Sequence, residues 1–306
     1  MILTVTLNAA LDRTLMVPNF LPGRRHRASD ALTLPGGKGV NIARALRSLG
    51  QPVIATGLAG GRTGTAIVEQ LTAEGILNDF VRIGDESRTS TAVVDGTTGQ
   101  QTEINEYGPL VTDAELAVLL EKLGYLSRGA DIVVLAGSLP RGLSNDYYGV
   151  LVAALDRPDV HIVVDAPGVP LREALPSSPW LVSPNVREAE DVVGYEFDDD
   201  GDAAMGASSL CEMGAANALV HDERGCVASL DDGDGRVALS ARTDVIADAV
   251  STVGSGDAFL AGYLSRAYDG AGREESLRTA VACGAASTRV LGAGMLGGIG
   301  FTMSIF

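Results

Sequence analysis

Lysine is almost missing from this chain of 306 residues: it occurs only at Lys38 and Lys122, so nearly all of the 23 basic residues are arginine. A lysine inside a glycine-rich segment, as Lys38 is, is therefore conspicuous. Cysteine and histidine are scarce as well. Cys211, Cys226 and Cys283 show no C-x-x-C spacing, and His26, His161 and His221 form no ligand pair at helical spacing, which excludes a disulfide-stapled scaffold and argues against a structural zinc site. Positive charge is outnumbered, 23 basic residues to 39 acidic, for a formal net charge of −16; such a chain repels polyphosphate backbones, and nucleic acid is not an expected partner. No apolar run approaches the ~18 residues that span a bilayer. The opening MILTVTLNAALD has neither a basic n-region nor a cleavage site, so no membrane partner is expected and the cytoplasm is the expected compartment. What is present is ordinary globular material, 46% hydrophobic and 20% charged, enough to bury a sizeable core. The length suits one large α/β unit with an appendage.

Short β-branched runs alternate with segments of helical period. Strands are predicted at 2–7, 52–58 and 78–83, with helices at 40–49 and 63–73 between them. The rhythm resumes after Gly108 with a helix at 113–123, a strand at 132–137, a helix at 145–155, strands at 161–167 and 180–185, and a helix at 187–193. Continuously apolar strands such as Ile132–Val133–Val134–Leu135 belong in a parallel sheet covered on both faces. Two stretches, 12–35 and 86–108, are polar, alternating and turn-rich where helices are due, and Gly96 and Gly99 flank a hairpin-like turn in the second. They are expected to build one small β-sheet above the main one, as a lid over a site. The acidic DDDGD at 198–202 reads as a solvated loop.

Two glycine-rich segments open helices. In PGGKGVNIARAL at 35–46, consecutive glycines let backbone approach a ligand, and Lys38 and Asn41 share the first turn. Taken bare, this is a structural turn or a site. In STVGSGDAFLAGYL at 251–264, Gly254, Ser255 and Gly256 precede Asp257 at a helix start, where amide groups and the macrodipole favour an anion. Asp257 is there either a helix cap or a general base beside an anion hole, the second suiting phosphoryl transfer. Generic nucleotide fingerprints fail: Lys38 is followed by Gly39, not Ser or Thr, and the G-x-G-x-x-G at 292–297 follows a helix with too little chain left for a βαβ unit.

Together GGKGVNIARAL and STVGSGDAF resemble the two signatures of the ribokinase/PfkB family of carbohydrate kinases. SPNVREAE at 183–190, AGSLPRG at 136–142 and TEINEYGP at 102–109 resemble three more of its segments, in order along residues 1 to about 290. Lys38 after the glycine pair, LNAALDRT at 7–14 and TEINE are similar to the branch of 1-phosphofructokinases and tagatose-6-phosphate kinases. The resemblance implies a three-layer α/β fold with a mostly parallel central sheet, residues 1–306 as one such unit with its lid. It also implies an ATP- and Mg²⁺-dependent kinase acting on a small phosphosugar, fructose 1-phosphate before fructose 6-phosphate or tagatose 6-phosphate, and a homodimer joined through the lids.

By the same resemblance Asp257 is the base and Gly254, Ser255 and Gly256 form the anion hole. Asp12 and Asn41 hold sugar hydroxyls, while Gly36, Gly37, Lys38 and Ser138 contact the substrate. Arg88 and Arg25, with Arg27 nearby, grip its phosphate, for which arginine's planar fork is suited. Ser183, Asn185, Glu188, Gly225 and Gly284 belong to the nucleotide, Asn185 and Glu188 organising Mg²⁺ through its waters. Three features depart from the pattern: Ala92 stands where relatives of the branch place a lysine, His221–Asp222 where a small apolar residue and glycine are usual, and 291–306 carries no charge. They keep open a kinase of an unphosphorylated sugar or nucleoside, and a silent nucleotide- or sugar-phosphate-binding regulator.

Overall fold

The computed structural model describes residues 1–243 and 251–290. Strands β1 (Ile2–Thr6), β2 (Ala10–Met16) and β3 (Asp30–Gly36) lead into helix α1 (Lys38–Ser48). Then come β4 (Val53–Gly60), α2 (Gly61–Ala73), β5 (Leu77–Ile83), β6 (Arg88–Val94) and β7 (Gln101–Asn105). The second half runs through α3 (Asp113–Leu126), β8 (Ile132–Ala136), α4 (Tyr147–Leu155), β9 (His161–Asp165), α5 (Gly168–Ala174), β10 (Leu181–Val182), α6 (Val186–Val193) and α7 (Asp200–Glu212). It closes with β11 (Asn217–Asp222), β12 (Gly225–Asp231), β13 (Arg236–Arg242), α8 (Ser255–Tyr268) and α9 (Arg273–Ser287).

Nine strands form the main sheet in the order β13-β12-β11-β10-β9-β8-β1-β4-β5. Every ladder from β5 to β11 is parallel, and only β12 and β13 run antiparallel. The apolar run of β8 is explained by its two faces. Val133 and Leu135 enter one core with Leu119 and Leu123 of α3 and Leu151 of α4, whereas Ile132 and Val134 enter the other with Val40 and Ile42 of α1 and Leu260 of α8. Helices thus cover both faces, as the apolar strands implied, in the three-layer α/β architecture that the resemblance implied.

Segments 12–35 and 86–108 do build one small sheet, ordered β3-β2-β6-β7. β2 runs antiparallel to β3 and parallel to β6, and β6 turns into β7 through the expected hairpin, in which the Gly99 amide donates to the Asp95 carbonyl at 2.8 Å.

Two local expectations are corrected. The strand expected at 180–185 keeps only Leu181–Val182 in the ladder, because Pro184 has no amide hydrogen to give and Asn185 turns the chain into α6. The acidic run 198–202 is a helix start and not a loop: the Asp199 carboxylate accepts from the amides of Gly201 and Asp202, capping α7, with Asp200 and Asp202 in its first turn, where negative charge meets the positive end of the helix dipole. The uncharged stretch 291–306, with its G-x-G-x-x-G, lies outside the described residues. No described helix is long and apolar enough to cross a membrane.

Candidate active site

In a parallel sheet the residues just beyond the carboxyl ends of the strands, and the helix N-termini that follow, share one edge. Here that edge gathers Asn8 and Ser138, which follow β1 and β8, Asp165 at the end of β9, and the starts of α1, α6 and α8. Two of these helices begin on glycines in conformations that side chains rarely adopt, Gly37 at φ 96 and Gly254 at φ 77. No side chain caps either start, and their first-turn amides have no helical carbonyl before them.

Asp257 is the third residue of α8 and not its cap, which is Gly254. The residue is 6% exposed, and its carboxylate accepts a hydrogen bond from Asn41 Nδ2 on α1 at 2.8 Å. Burial, and next the Asp165 carboxylate, push its pKa up to about 7, against the pull of Lys38 and the Asn41 bond. A carboxylate poised near neutrality within reach of a helix N-terminus is equipped to take a proton from a hydroxyl while the amides hold an anion.

The Lys38 ammonium pairs with Asp165 Oδ1 at 2.8 Å and Glu188 Oε1 at 3.2 Å. Burial works against its charge, but Asp165, Glu188 and Asp257 outweigh this and hold it above the ordinary lysine range. Lys38 and Asn41 therefore share a helical turn yet serve different partners, a carboxylate pair and Asp257. Glu188 divides its two oxygens. While Oε1 meets Lys38, Oε2 accepts from the Asn185 amide at 3.0 Å, and Asn185 Oδ1 accepts in return from the Glu188 amide at 3.0 Å, closing a capping box on α6. No group of three or more His, Cys, Asp or Glu arranged to hold a metal exists among the described residues.

On the small sheet, Asp12 lies against Gly36, where a side chain would overlap its carboxylate. Burial raises the Asp12 pKa to about 6, opposed first by Arg88. Arg88, half-buried, donates from Nε to the Asn8 carbonyl at 3.2 Å, and Ser138 Oγ accepts from Asn8 Nδ2 at 3.1 Å. Arg25 stands exposed between β2 and β3, with no hydrogen bond or ion pair to the other candidate residues among those described.

Towards β13 and α9 opens a cavity of about 600 Å³ lined in part by Ala241, Arg242, Thr243, Leu277, Arg278 and Val281. Gly225 and Gly284 have packing reasons to be glycine. A side chain at 225 would overlap the Ala241 carbonyl, and one at 284 would come within 3.3 Å of Phe259. Ser183 is 1% exposed and its hydroxyl has no hydrogen-bond partner.

The unusual pair His221–Asp222 splits in direction. Asp222 is turned outward, its carboxylate accepting from the Arg224 amide at 2.8 Å and from Arg242 Nη1 at 3.1 Å. His221 is turned inward. Its ring lies 4.8 Å from that of Phe259 and leaves only 3.0 Å to a side chain at Gly256. Burial, then Lys38, bring its pKa down to about 4, so it is neutral at pH 7.

Sequence reasoning missed Asp165 and Asn8. An acidic residue closing the apolar run HIVVD was the available signal for the first; nothing in the sequence marks the contacts of the second.

Comparison with known proteins places this geometry. The pfkB family carbohydrate kinase model matches residues 4–296. The 1-phosphofructokinase of Borreliella burgdorferi is 32% identical over 287 residues, covering 94% of this chain and 91% of that protein. That of Bacillus subtilis is 32% identical over 292 residues, covering 94% and 92%. The tetrameric inhibited form of phosphofructokinase-2 from Escherichia coli superimposes with a TM-score of 0.85 at 28% identity, over 94% of this chain and 93% of that one.

Proposed function

The chain belongs to the pfkB family of carbohydrate kinases and is an ATP-dependent phosphosugar kinase, and we propose that its acceptor is fructose 1-phosphate, with fructose 6-phosphate and tagatose 6-phosphate as weaker candidates. The observation that carries the mechanism is the setting of Asp257, buried, bonded to Asn41 and raised to about 7 at the glycine-opened start of α8. Asp257 takes the proton of the sugar's primary hydroxyl as that oxygen attacks the γ-phosphorus, the bond from the γ-phosphorus to the β–γ bridging oxygen breaks and ADP leaves with the bond's electron pair, and Gly254, Ser255 and Gly256 hold the charge on the migrating phosphoryl group. Asp12 and Asn41 orient the sugar hydroxyls, and Gly36 leaves room for them. Ser138 contacts the sugar, and Arg88, with Arg25 brought in by the loop between β2 and β3, holds its phosphate.

The ATP polyphosphate lies between the α8 start and the turn at 222–225, and the adenosine end fits the cavity beside β13 and α9. Gly225, Gly284 and Ser183, whose buried hydroxyl has no partner, are assigned to the nucleotide side of the site. Mg²⁺ fits the donor set as an ion that arrives with phosphate and water ligands, since Asn185 and Glu188 are engaged in their capping box and offer few free oxygens. When bound, it supplies charge neutralisation to the polyphosphate. The small sheet then serves as a lid, and its outer strand β7 is almost wholly exposed, with Ile104 at 62% and Tyr107 beside it at 89%. Such apolar exposure on an edge strand favours burial in a homodimer joined lid to lid. Sedimentation at micromolar concentration is expected to show a dimer for the wild type; a monomer contradicts the lid-to-lid assembly.

Two substitutions test the roles. Asp257→Asn is expected to keep ATP and phosphosugar binding while turnover falls by roughly 10²–10⁴, the usual effect of removing a positioned general base; near-normal turnover in an ADP-release assay removes Asp257 from the chemistry. Arg88→Ala is expected to raise KM for fructose 1-phosphate roughly ten- to a hundredfold, through a lost charge-assisted contact, with KM for fructose and for ATP unmoved. Equal weakening of both sugars moves the free-sugar kinase reading ahead.

A further inference from the structure

The chain passes from the main sheet to the lid in three residues, 7–9, and the middle one, Asn8, is 3% exposed. Its Nδ2 donates to the Tyr107 carbonyl at 3.0 Å and to Ser138 Oγ at 3.1 Å, and its main-chain carbonyl accepts from Arg88 Nε at 3.2 Å. These partners come from three places: Arg88 opens lid strand β6, Tyr107 follows β7 where the chain leaves the lid, and Ser138 belongs to the main sheet's loop after β8.

The amide orientation follows from the partners, because the Tyr107 carbonyl accepts only and must face the nitrogen. Both Nδ2 hydrogens are then used, and Oδ1 is left against Gly108, buried and without a hydrogen-bond partner. Leaving a buried acceptor unpaired is unfavourable. A residue filling space alone would be apolar here; the two directed bonds account for an amide.

We propose that Asn8 is a positioning residue for the acceptor site. It ties the phosphate-holding arginine Arg88 to the sugar-contacting hydroxyl of Ser138 across the junction of the two sheets, fixing the distance between the points that hold the two parts of the phosphosugar. This rests on the reading of Arg88 and Ser138 given above. It makes Asn8 a determinant of acceptor binding that touches neither the acceptor nor ATP.

The experiment measures KM for fructose 1-phosphate and for ATP in the wild type, Asn8→Ala, Arg88→Ala and the double variant. Asn8→Ala is expected to raise the phosphosugar KM about tenfold, the effect of roughly one to two hydrogen bonds, with KM for ATP unchanged, which a general loss of structure would not leave unmoved. The double variant is expected to fall short of the product of the single effects, because Asn8 acts on the acceptor by placing Arg88, whose phosphate contact is already gone in Arg88→Ala. An unchanged phosphosugar KM in Asn8→Ala, an equal rise for ATP, or fully multiplicative effects overturn the positioning role while leaving the Arg88 clamp standing. If Arg88→Ala alone moves nothing, the clamp reading falls and the positioning role with it. Asn8→Asp keeps the shape but sets an oxygen against the Tyr107 carbonyl; it is expected to act as Asn8→Ala does, and it decides the matter should the alanine variant not fold.

Discussion

One ammonium group, that of Lys38, makes the site electrostatically possible. Asp165, Glu188 and Asp257 arrive from β9, α6 and α8, all partly or wholly withdrawn from water, and burial, then the Asp165 carboxylate, push the pKa of Asp257 up. Lys38 pairs directly with two of them and lowers the pKa of the third. Removing it would leave a carboxylate pair uncompensated in a poorly solvated pocket, the costly way to break a buried ion pair. Its position depends in turn on the glycines of α1, which let the helix start at the sheet edge with its first side chain reaching across to β9 and α6. A compact ammonium can sit between two carboxylates where a planar guanidinium would have to choose one orientation, which gives a physical reason for a lysine here in a chain that otherwise uses arginine.

The second constraint is the junction between the sheets. The lid is built from two insertions, so its hold on the acceptor depends on a few crossing points: residues 7–9, Gly37 between β3 and α1, the start of β6 and the exit after β7. Asn8 bonds to the last two of these, and to the Ser138 loop as well. Acceptor-side residues thus lie on or beside the lid, whereas the residues proposed for ATP belong to the half of the chain after β9.

Much of this was legible in the sequence, for local reasons. The β-branched runs gave the parallel sheet because strands buried on both faces have no polar positions to spare, as β8 shows. The two glycine-rich helix starts stood out because both conformation and close approach demand glycine there. Hidden were the consequences of topology. Asp165 comes to Lys38 only because β9 lies where its end faces α1, and no spacing in the sequence records a partner 127 residues away. Asp222 is unremarkable once Arg242 of β13, two strands away, draws it outward, and the acidic run at 198–202 turned out to cap a helix, since loop and helix start share the same residue preferences.

The central claim, that Asp257 accepts the proton and that Lys38 holds its pKa down against burial and Asp165, is tested most directly by the pH dependence of kcat/KM in the wild type and in Lys38→Met, which reports the free enzyme's essential base. With fructose 1-phosphate as acceptor for both, the substrate's own phosphate ionisation is common to the two curves. Protonation of Asp257 abolishes the base, so the wild-type curve is expected to fall on the acid side through a midpoint near about 7. Loss of a cation that favours the ionised form is expected to move that midpoint upward in Lys38→Met. An acid limb in the ordinary carboxylate range, or one that stays put or moves down when Lys38 is removed, would contradict the account.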